Sequence, residues 1–197
     1  MKPYLLGLTG SIGMGKSTTA EFFRGEGVPV WDADAAVHRL YQKGGAAVPA
    51  IAALRPDAVV NGAVDRAALK SWIAEDPNAL ALIEAVVHPL VVADRVAFIA
   101  AHPQASLIVL DIPLLFETQA EAALDGVVVV SAPAEAQRAR VLSRPGMTER
   151  DLKAILSRQL PDAEKRRRAD WVIETTGLEP ARAAVRALIA EIGGRHA

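Results

Sequence analysis

Residues 10–17 read Gly-Ser-Ile-Gly-Met-Gly-Lys-Ser and are separated only by Thr9 from the apolar run Tyr-Leu-Leu-Gly-Leu at residues 4–8. This is the phosphate-binding loop G-x-x-x-x-G-K-[ST], placed between a predicted strand and a predicted helix. Glycine lets successive backbone N–H groups turn inward around a phosphate because it has no Cβ. The lysine supplies a positive charge for the β- and γ-phosphates, the serine hydroxyl is a ligand for Mg²⁺, and the helix N-terminus attracts the anion. The stretch therefore predicts binding of a nucleoside triphosphate.

The composition is that of an ordinary water-soluble protein. The chain of 197 residues is 51% hydrophobic with a net charge of −1, which provides material for a core but no basic surface for nucleic acid or an anionic membrane. The lack of cysteine excludes disulfides, thiolate zinc sites and cysteine nucleophiles. The initial apolar run is too short for a signal peptide, and no run of about 18 uncharged apolar residues follows. We expect a cytoplasmic monomer without nucleic-acid or membrane partners, with a homo-oligomer as the open alternative.

Strands alternate with helical patterns along the whole chain. Short apolar runs predict strands at residues 4–9, 28–31, 107–110, 127–130 and 171–173. Helical patterns occupy residues 16–25, 32–41, 133–144, 148–160 and 178–192, and residues 46–102 are mostly helical in pattern with prolines as punctuation. The alternation predicts an α/β fold with a doubly wound, parallel, five-stranded sheet of the P-loop NTPase type.

Polar residues follow three of the predicted strands besides the first. Asp32 and Asp34 follow the second strand, Asp111 the third, and Thr175-Thr176-Gly177 the last. Ligands of such sheets bind beyond the carboxyl ends of the strands. One of the carboxylates at 32 and 34 is expected to face the transferred phosphate while the other caps the following helix, and two caps are the alternative. Asp111 stands where a carboxylate commonly holds Mg²⁺ through water, with a capping role as the alternative.

An arginine-rich stretch follows the fourth predicted strand. Most of its arginines are expected on solvated helix faces. The alternative is a mobile lid, because an enzyme that transfers a phosphoryl group must neutralise the γ-phosphate while excluding water, and arginines on a lid can do both. Arg140 and Arg144 are four residues apart, which predicts one helix face, and at least one is expected to contact phosphate. His88 lies in the helical middle without a second histidine at metal spacing, so no zinc site is predicted and a structural role for it is the first expectation.

Other phosphate chemistries lack their signatures. The chain has neither N-K-x-D nor D-x-x-G, which GTPase switches need, and no L-S-G-G-Q signature of an ABC protein. It has no basic stripe or aromatic platform for nucleic acid. A kinase of small metabolites fits best.

Five motifs in order resemble the dephospho-CoA kinase family. They are Thr-Gly-Ser-Ile-Gly-Met-Gly-Lys-Ser at 9–17, Asp-Ala-Asp at 32–34 with His38, His88-Pro89, Asp-Ile-Pro-Leu-Leu-Phe-Glu at 111–117, and Gln159 followed by Ala-Asp-Trp-Val-Ile at 169–173. The resemblance covers nearly the whole chain, from Leu6 to about Gly177. After the last strand the family often has Asn, a small residue and Gly. Thr-Thr-Gly stands there in this chain, so a backbone contact to adenine is expected.

The resemblance implies transfer of the ATP γ-phosphate to the ribose 3′-hydroxyl of dephospho-CoA, giving CoA and ADP in the last step of coenzyme A synthesis. It implies ATP and Mg²⁺ as cofactors. The ATP contacts are expected from Gly10, Ile12, Gly13, Met14, Gly15, Lys16, Ser17, Thr18, Thr176 and Gly177. Metal ligation is expected from Ser17 and Asp111, and acceptor contacts from Asp34, His88, Leu115 and Phe116. The catalytic set is Lys16, Asp32 or Asp34 as base, Asp111, and the lid residues Arg140 and Arg144.

The same resemblance implies one kinase domain in three parts. The core comprises about residues 1–42, 104–132 and 169–197, a helical acceptor-binding insertion spans about 43–103, and the lid spans about 133–168. Two alternatives stay open at this point. One is another small-metabolite kinase of the nucleoside-monophosphate or shikimate type. The other is an ATP-binding regulatory protein that lacks a phosphoryl acceptor.

Overall fold

The structure, a computed structural model, describes residues 2–196. Its strands are β1 (Tyr4–Thr9), β2 (Val30–Asp32), β3 (Val59–Val60), β4 (Ala63–Val64), β5 (Leu107–Asp111), β6 (Gly126–Ser131) and β7 (Trp171–Glu174). Its α-helices are α1 (Lys16–Gly25), α2 (Ala33–Tyr41), α3 (Val48–Leu54), α4 (Arg66–Glu75), α5 (Ala79–Ala100), α6 (Ala134–Leu142), α7 (Glu149–Leu156), α8 (Asp162–Arg168) and α9 (Leu178–His196). Within the described range, none of these helices has the combined length and apolarity that a membrane span requires.

Five strands form one parallel sheet in the order β2-β5-β1-β6-β7. The central strand β1 pairs in parallel with β5 and β6, and β6 pairs in parallel with β7. The register places Leu8 of β1 beside Asp111 of β5, and Thr9 beside Val129 of β6. The predicted doubly wound α/β sheet is confirmed. Because β1 is central, the loop that follows it emerges between the ends of β5 and β6.

Both faces of the sheet are covered by apolar side chains. Leu8 of β1 packs in one cluster with Phe23 of α1 and Val185 of α9. Val127 and Val129 of β6 belong instead to a second cluster, formed with the segment that follows β5. Successive residues of a strand point to opposite faces, so a continuous apolar run supplies a core on each side. This is why the strands read as unbroken apolar runs in the sequence.

Residues 32–101 form a compact unit of their own, and the residues up to Trp31 and from His102 onward form the other. The core of the 32–101 unit includes Leu40 of α2, Ile51 of α3 and Ile83 of α5. The unit therefore begins earlier than the insertion predicted for about 43–103. The physical reason is the apolar side of α2, which is buried against α3 and α5.

The 32–101 unit also contains a short hairpin within a stretch whose pattern is mostly helical. Strands β3 and β4 pair antiparallel around Asn61-Gly62, where φ is 52° and 77°. Asn-Gly is the dipeptide that best tolerates two left-handed residues in a tight turn, so this hairpin has a local signal in the sequence. Helix α5 continues through Pro89, although the pattern treated proline as a boundary. Burial of Ile83 and Val87 in the core outweighs the lost backbone hydrogen bond.

The arginine-rich segment carries three helices rather than two. Helices α6 and α7 are shorter than the patterns at 133–144 and 148–160. Helix α8 is an additional helix, and its last turn holds four consecutive basic residues at 165–168. Helix α7 begins with a capping box, in which Thr148 and Asp151 satisfy each other's backbone N–H groups. The whole segment belongs to the unit that contains the five-stranded sheet.

Candidate active site

The phosphate-binding loop connects the central strand to α1 in the strained conformation that its glycines allow. Gly13 and Gly15 have φ values of 78° and 87°, which are left-handed and unfavourable for residues with a Cβ. Gly10 is required for another reason, because a Cβ there would lie 2.4 Å from the Cγ2 atom of Val130. Each glycine of the motif thus has a specific steric role, and together they produce the tight turn into the helix.

Lys16 and Asp111 form an ion pair at the carboxyl end of the sheet. The Lys16 Nζ lies 2.5 Å from the Asp111 Oδ1, and the Asp111 side chain is 2% exposed. Lys16 is the first residue of α1, and Asp111 ends β5, beside Leu8 of the central strand. A carboxylate buried this deeply requires a compensating cation. The lysine of the motif therefore has a structural partner as well as a charge suited to phosphate.

The backbone of the loop is held by side chains from three later segments. The Gln137 Nε2 donates to the Ile12 carbonyl at 2.8 Å, and the Ile12 N–H donates to the Gln159 Oε1 at 3.1 Å. The Thr175 hydroxyl donates to the Met14 carbonyl at 2.8 Å. These contacts come from α6, from the segment before α8 and from the residue after β7. These hydrogen bonds fix the orientation of peptide groups in the loop, which cannot be predicted from sequence patterns.

Arg140 and Arg144 differ in position. The Arg140 guanidinium donates to the Thr175 carbonyl, to its hydroxyl at 3.1 Å, and to the Gly13 carbonyl at 3.4 Å. It therefore lies at the phosphate-binding loop. Arg144 is exposed and lies beyond α6, which ends at Leu142. The prediction that both arginines share one helix face is wrong, because the helix stops between them.

Asp32 and Asp34 also have different surroundings. Asp32 is the N-cap of α2, and its Oδ1 accepts the Ala35 N–H at 2.9 Å. Asp34 lies in the first turn of α2 and is exposed. Of the two carboxylates left open by the sequence, Asp32 is the one that caps the helix.

The comparison with known families bears on the whole chain rather than on one motif. The family model described as dephospho-CoA kinase matches residues 4–179. The chain belongs to the dephospho-CoA kinase family. A protein named dephospho-CoA kinase from Cereibacter sphaeroides is 63% identical over 192 residues, which cover 98% of this chain and 97% of that protein. One of the same name from Mesorhizobium japonicum is 58% identical over 195 residues, covering 98% of both chains.

Solved structures agree on the fold of this family member. The crystal structure of TT1252 from Thermus thermophilus matches with a TM-score of 0.83 and 41% identity, covering 97% of this chain and 98% of that one. The structure of dephospho-CoA kinase from Campylobacter jejuni matches with a TM-score of 0.67 at 22% identity, covering 98% of both chains. A shikimate kinase structure from Acinetobacter baumannii matches with a TM-score of 0.55 at 19% identity, covering 98% of this chain and 94% of that one. The last two show the P-loop kinase fold alone.

The remaining positions predicted to contact ATP are accessible. Ser17 and Thr18 are exposed in the first turn of α1, and Thr176 is exposed directly after Thr175. Gly177 immediately precedes α9, and its added Cβ would lie 3.2 Å from the ring of Pro180. These positions can present backbone and hydroxyl groups to a nucleotide.

The acceptor positions expected for this family fall in two environments. His88 is exposed on α5, within the 32–101 unit. Leu115 and Phe116, in contrast, are 0% and 3% exposed and pack with Val127 and Val129 beneath the sheet. Both side chains contribute to the core of this structure, so their contact with an acceptor stays a prediction. Their neighbour Leu114 is the exposed apolar residue of that segment.

One charged pair near the site joins residues that are distant in sequence. Lys165 is 0% exposed, and its Nζ lies 2.8 Å from the Glu117 Oε1. The same Glu117 oxygen accepts the Leu160 N–H at 2.7 Å. Burial by itself would raise the pKa of the Glu117 carboxyl, but the Lys165 ammonium and the Leu160 N–H hold that pKa below its ordinary value. A basic run gives no local signal that one of its members is buried.

Proposed function

We propose that this protein transfers the γ-phosphate of ATP to the 3′-hydroxyl of the ribose of dephospho-CoA. A bond forms between that hydroxyl oxygen and the γ-phosphorus, the bond to the β–γ bridging oxygen breaks, and the hydroxyl proton leaves. The products are CoA and ADP. The observation that carries the proposal is the match along nearly the whole chain to relatives named dephospho-CoA kinase, on a chain with a complete phosphate-binding loop.

The phosphates are proposed to lie at the loop between β1 and α1. Lys16 supplies positive charge there, and the N-terminus of α1 adds the partial charge of its unpaired N–H groups. Arg140 supports this role because its guanidinium already lies at the Gly13 carbonyl. Phosphoryl transfer depends mainly on positioning and charge stabilisation, so a rigid loop and two cations are the main requirements. Thr176 and Gly177 are proposed to contact the adenine through their backbone.

Asp34 is proposed as the group that orients the acceptor hydroxyl and accepts its proton. Asp32 is less suited because its carboxylate caps α2, whereas Asp34 is exposed at the start of the same helix. A carboxylate is a weak base. The transition state of phosphoryl transfer is loose, so little base strength is needed before the proton leaves.

Mg²⁺ is proposed to bind with the ATP phosphates at Ser17 and Asp111. Both side chains offer the oxygen ligands that Mg²⁺ prefers, and both lie at the ends of the elements that frame the loop. Among residues 2–196, no group of three or more acidic or histidine side chains could hold a metal alone. Mg²⁺ is commonly held by one or two protein carboxylates together with substrate phosphates and water. When bound, it would neutralise charge on the β- and γ-phosphates.

The remaining roles follow the family resemblance and are part of the proposal. Residues of about 43–103, with His88, would bind the acceptor, and Leu115 and Phe116 are the further positions proposed to contact it. The segment of about 133–168 would act as a lid that carries Arg144. Cytoplasmic location and a monomeric state stay predictions.

The test is ADP release by the purified protein with ATP and Mg²⁺, with and without dephospho-CoA. We expect ADP that depends on the acceptor, matched by a product one phosphate heavier by mass spectrometry. The matched control is dephospho-CoA with a 3′-deoxyribose, which should give no stimulation because it lacks the accepting hydroxyl. Shikimate and nucleoside monophosphates test the rival acceptors. Stimulation by one of those, and none by dephospho-CoA, would refute the proposed acceptor.

A further inference from the structure

Glu117 joins two parts of the chain that are far apart in sequence. It follows β5, and its Oε1 accepts the Leu160 N–H at 2.7 Å and pairs with the Lys165 Nζ at 2.8 Å. The Lys165 side chain is 0% exposed and that of Glu117 is 17% exposed. A lysine is fully buried in a native protein only when it is paired, because desolvation of its charge is costly. The pair is therefore a specific structural connection rather than a surface contact.

The residue next to this connection contacts the phosphate-binding loop. Gln159 immediately precedes Leu160, and its Oε1 accepts the Ile12 N–H at 3.1 Å. The Ile12 carbonyl is held from the other side by Gln137, which is 7% exposed. The peptide groups on both sides of Ile12 are thus fixed by two glutamine side chains.

The segment from Gln159 to Lys165 has a second attachment to the sheet. The Ser131 hydroxyl, at the end of β6, donates to the Asp162 Oδ2 at 2.7 Å. The residues attached to Glu117 (Leu160 and Lys165) and to Ser131 (Asp162) all lie within six residues of Gln159 along the chain. The main-chain position of Gln159 is consequently set by Glu117, through Leu160 and Lys165, and by Ser131, through Asp162.

We infer that Glu117 and Lys165 are positioning residues, whose buried pair holds Gln159 on the Ile12 N–H and thereby keeps the loop shaped for the ATP phosphates. The inference rests on the proposed function for its meaning in catalysis. Pre-organised loops gain affinity and rate because the geometry is fixed before the phosphates arrive. A misplacement of about 1 Å at such a site can cost about a hundredfold in rate. Neither Glu117 nor Lys165 touches the reacting atoms in this scheme.

The first experiment measures the dissociation constants of ATP and AMP by calorimetry, with the full-length protein and no acceptor. Gln159→Leu removes the acceptor of the Ile12 N–H, and Glu117→Gln removes the charge that holds Lys165 while keeping the side-chain shape. We expect each to weaken ATP binding about tenfold, the usual effect of one lost hydrogen bond, and to leave AMP binding unchanged. Arg166→Met, on the exposed face of the same helix, is the matched control and should change neither constant.

The second measurement is the double variant, because it separates positioning from independent damage. If Glu117 acts through Gln159, then Glu117→Gln combined with Gln159→Leu should weaken ATP binding no further than Gln159→Leu alone. The inference would be overturned if the effects of the two substitutions on the ATP dissociation constant multiplied in the double variant. It would also be overturned if the single variants had ATP dissociation constants within twofold of that of the unchanged protein. A merely structural role for Glu117 would lower the melting temperature and leave the ratio of ATP to AMP affinity constant.

These readouts are independent of the acceptor. If the unchanged protein binds ATP but does not phosphorylate dephospho-CoA, the proposed function fails while the binding comparison still decides the inference. If the proposed function and the positioning role both hold, kcat/KM for ATP should fall in parallel with ATP affinity in the Gln159→Leu and Glu117→Gln variants. KM for dephospho-CoA should stay constant. Lys165→Met, which keeps the volume of the buried side chain, provides a third variant if Glu117→Gln does not fold.

Discussion

Replacing Asp34 and Asp32 in turn by asparagine should separate catalysis from helix capping. Asparagine is as good an N-cap as aspartate, so Asp32→Asn should keep the bond to the Ala35 N–H and leave both stability and turnover almost unchanged. Asp34→Asn removes the proposed base and should lower kcat by about 10²–10⁴-fold. Its cost in unfolding free energy should be about 0.5 kcal/mol, from the lost interaction of an exposed first-turn carboxylate with the helix dipole.

The stability side of this prediction has its own variant. Asp32→Ala deletes the cap and should cost about 1 kcal/mol, which corresponds to about 2–4 °C in Tm for a chain of this length. The assay is ADP release at saturating ATP and dephospho-CoA, with thermal unfolding and ATP affinity measured on the same samples. Loss of transfer in Asp32→Asn with retention in Asp34→Asn would reverse the two roles. Normal turnover in both variants would refute the use of either carboxylate as base.

Three further predictions concern the loop and the buried pairs. Lys16→Ala should lower kcat about 10²–10³-fold, and should also lower Tm because Asp111 is left buried without its cation. Adding Asp111→Asn to Lys16→Ala should restore Tm but not kcat. Near-normal turnover of Lys16→Ala alone would contradict the role of this loop in phosphate binding. Gly13→Ala should destabilise the protein by about 1–3 kcal/mol in chemical denaturation, because φ at Gly13 is 78° and the new Cβ would lie 2.6 Å from a valine methyl of α6. Gly25→Ala is the control and should not be destabilising, because the space around Gly25 is open. The pKa of Glu117 is lowered from 4.5, so its contribution to stability is present above about pH 4.5 and is lost as the pH falls through the folded-state pKa. Between pH 6 and pH 3, the free energy of unfolding measured with urea should therefore fall less for Glu117→Gln than for the unchanged protein. Equal dependence of this free energy on pH in the two proteins would show that the Glu117 carboxyl does not titrate with folding.

Local patterns predict the sheet and the loop well, for a physical reason. The strands are buried on both faces, so each must be an unbroken apolar run, and such a run is visible without knowing its neighbours. The left-handed φ at Gly13 and Gly15 restricts those positions to glycine, so the motif itself specifies the turn. The Asn61-Gly62 hairpin has a comparable local signal, and the helical pattern around it obscured that signal.

Charged side chains are harder to predict because their roles depend on partners distant in sequence. Lys165 stands in a run of four basic residues, and no spacing rule distinguishes it from its exposed neighbours. Arg144 has the spacing of a helix face with Arg140, but the helix ends before it. A partner some fifty residues away decides whether such a charge is buried.

The amino-acid sequence alone establishes the family, the positions of the five core strands along the chain and the phosphate-binding loop. Each of these is carried by short motifs or runs of neighbouring residues. Only the tertiary structure separates Asp32, which caps a helix, from the exposed Asp34. It alone also reveals that Gln137 and Gln159 hold Ile12 and that Glu117 is paired with the buried Lys165. These facts arise from the packing of side chains between segments that are distant in sequence, where burial and hydrogen-bond partners are set by three-dimensional proximity and not by spacing along the chain.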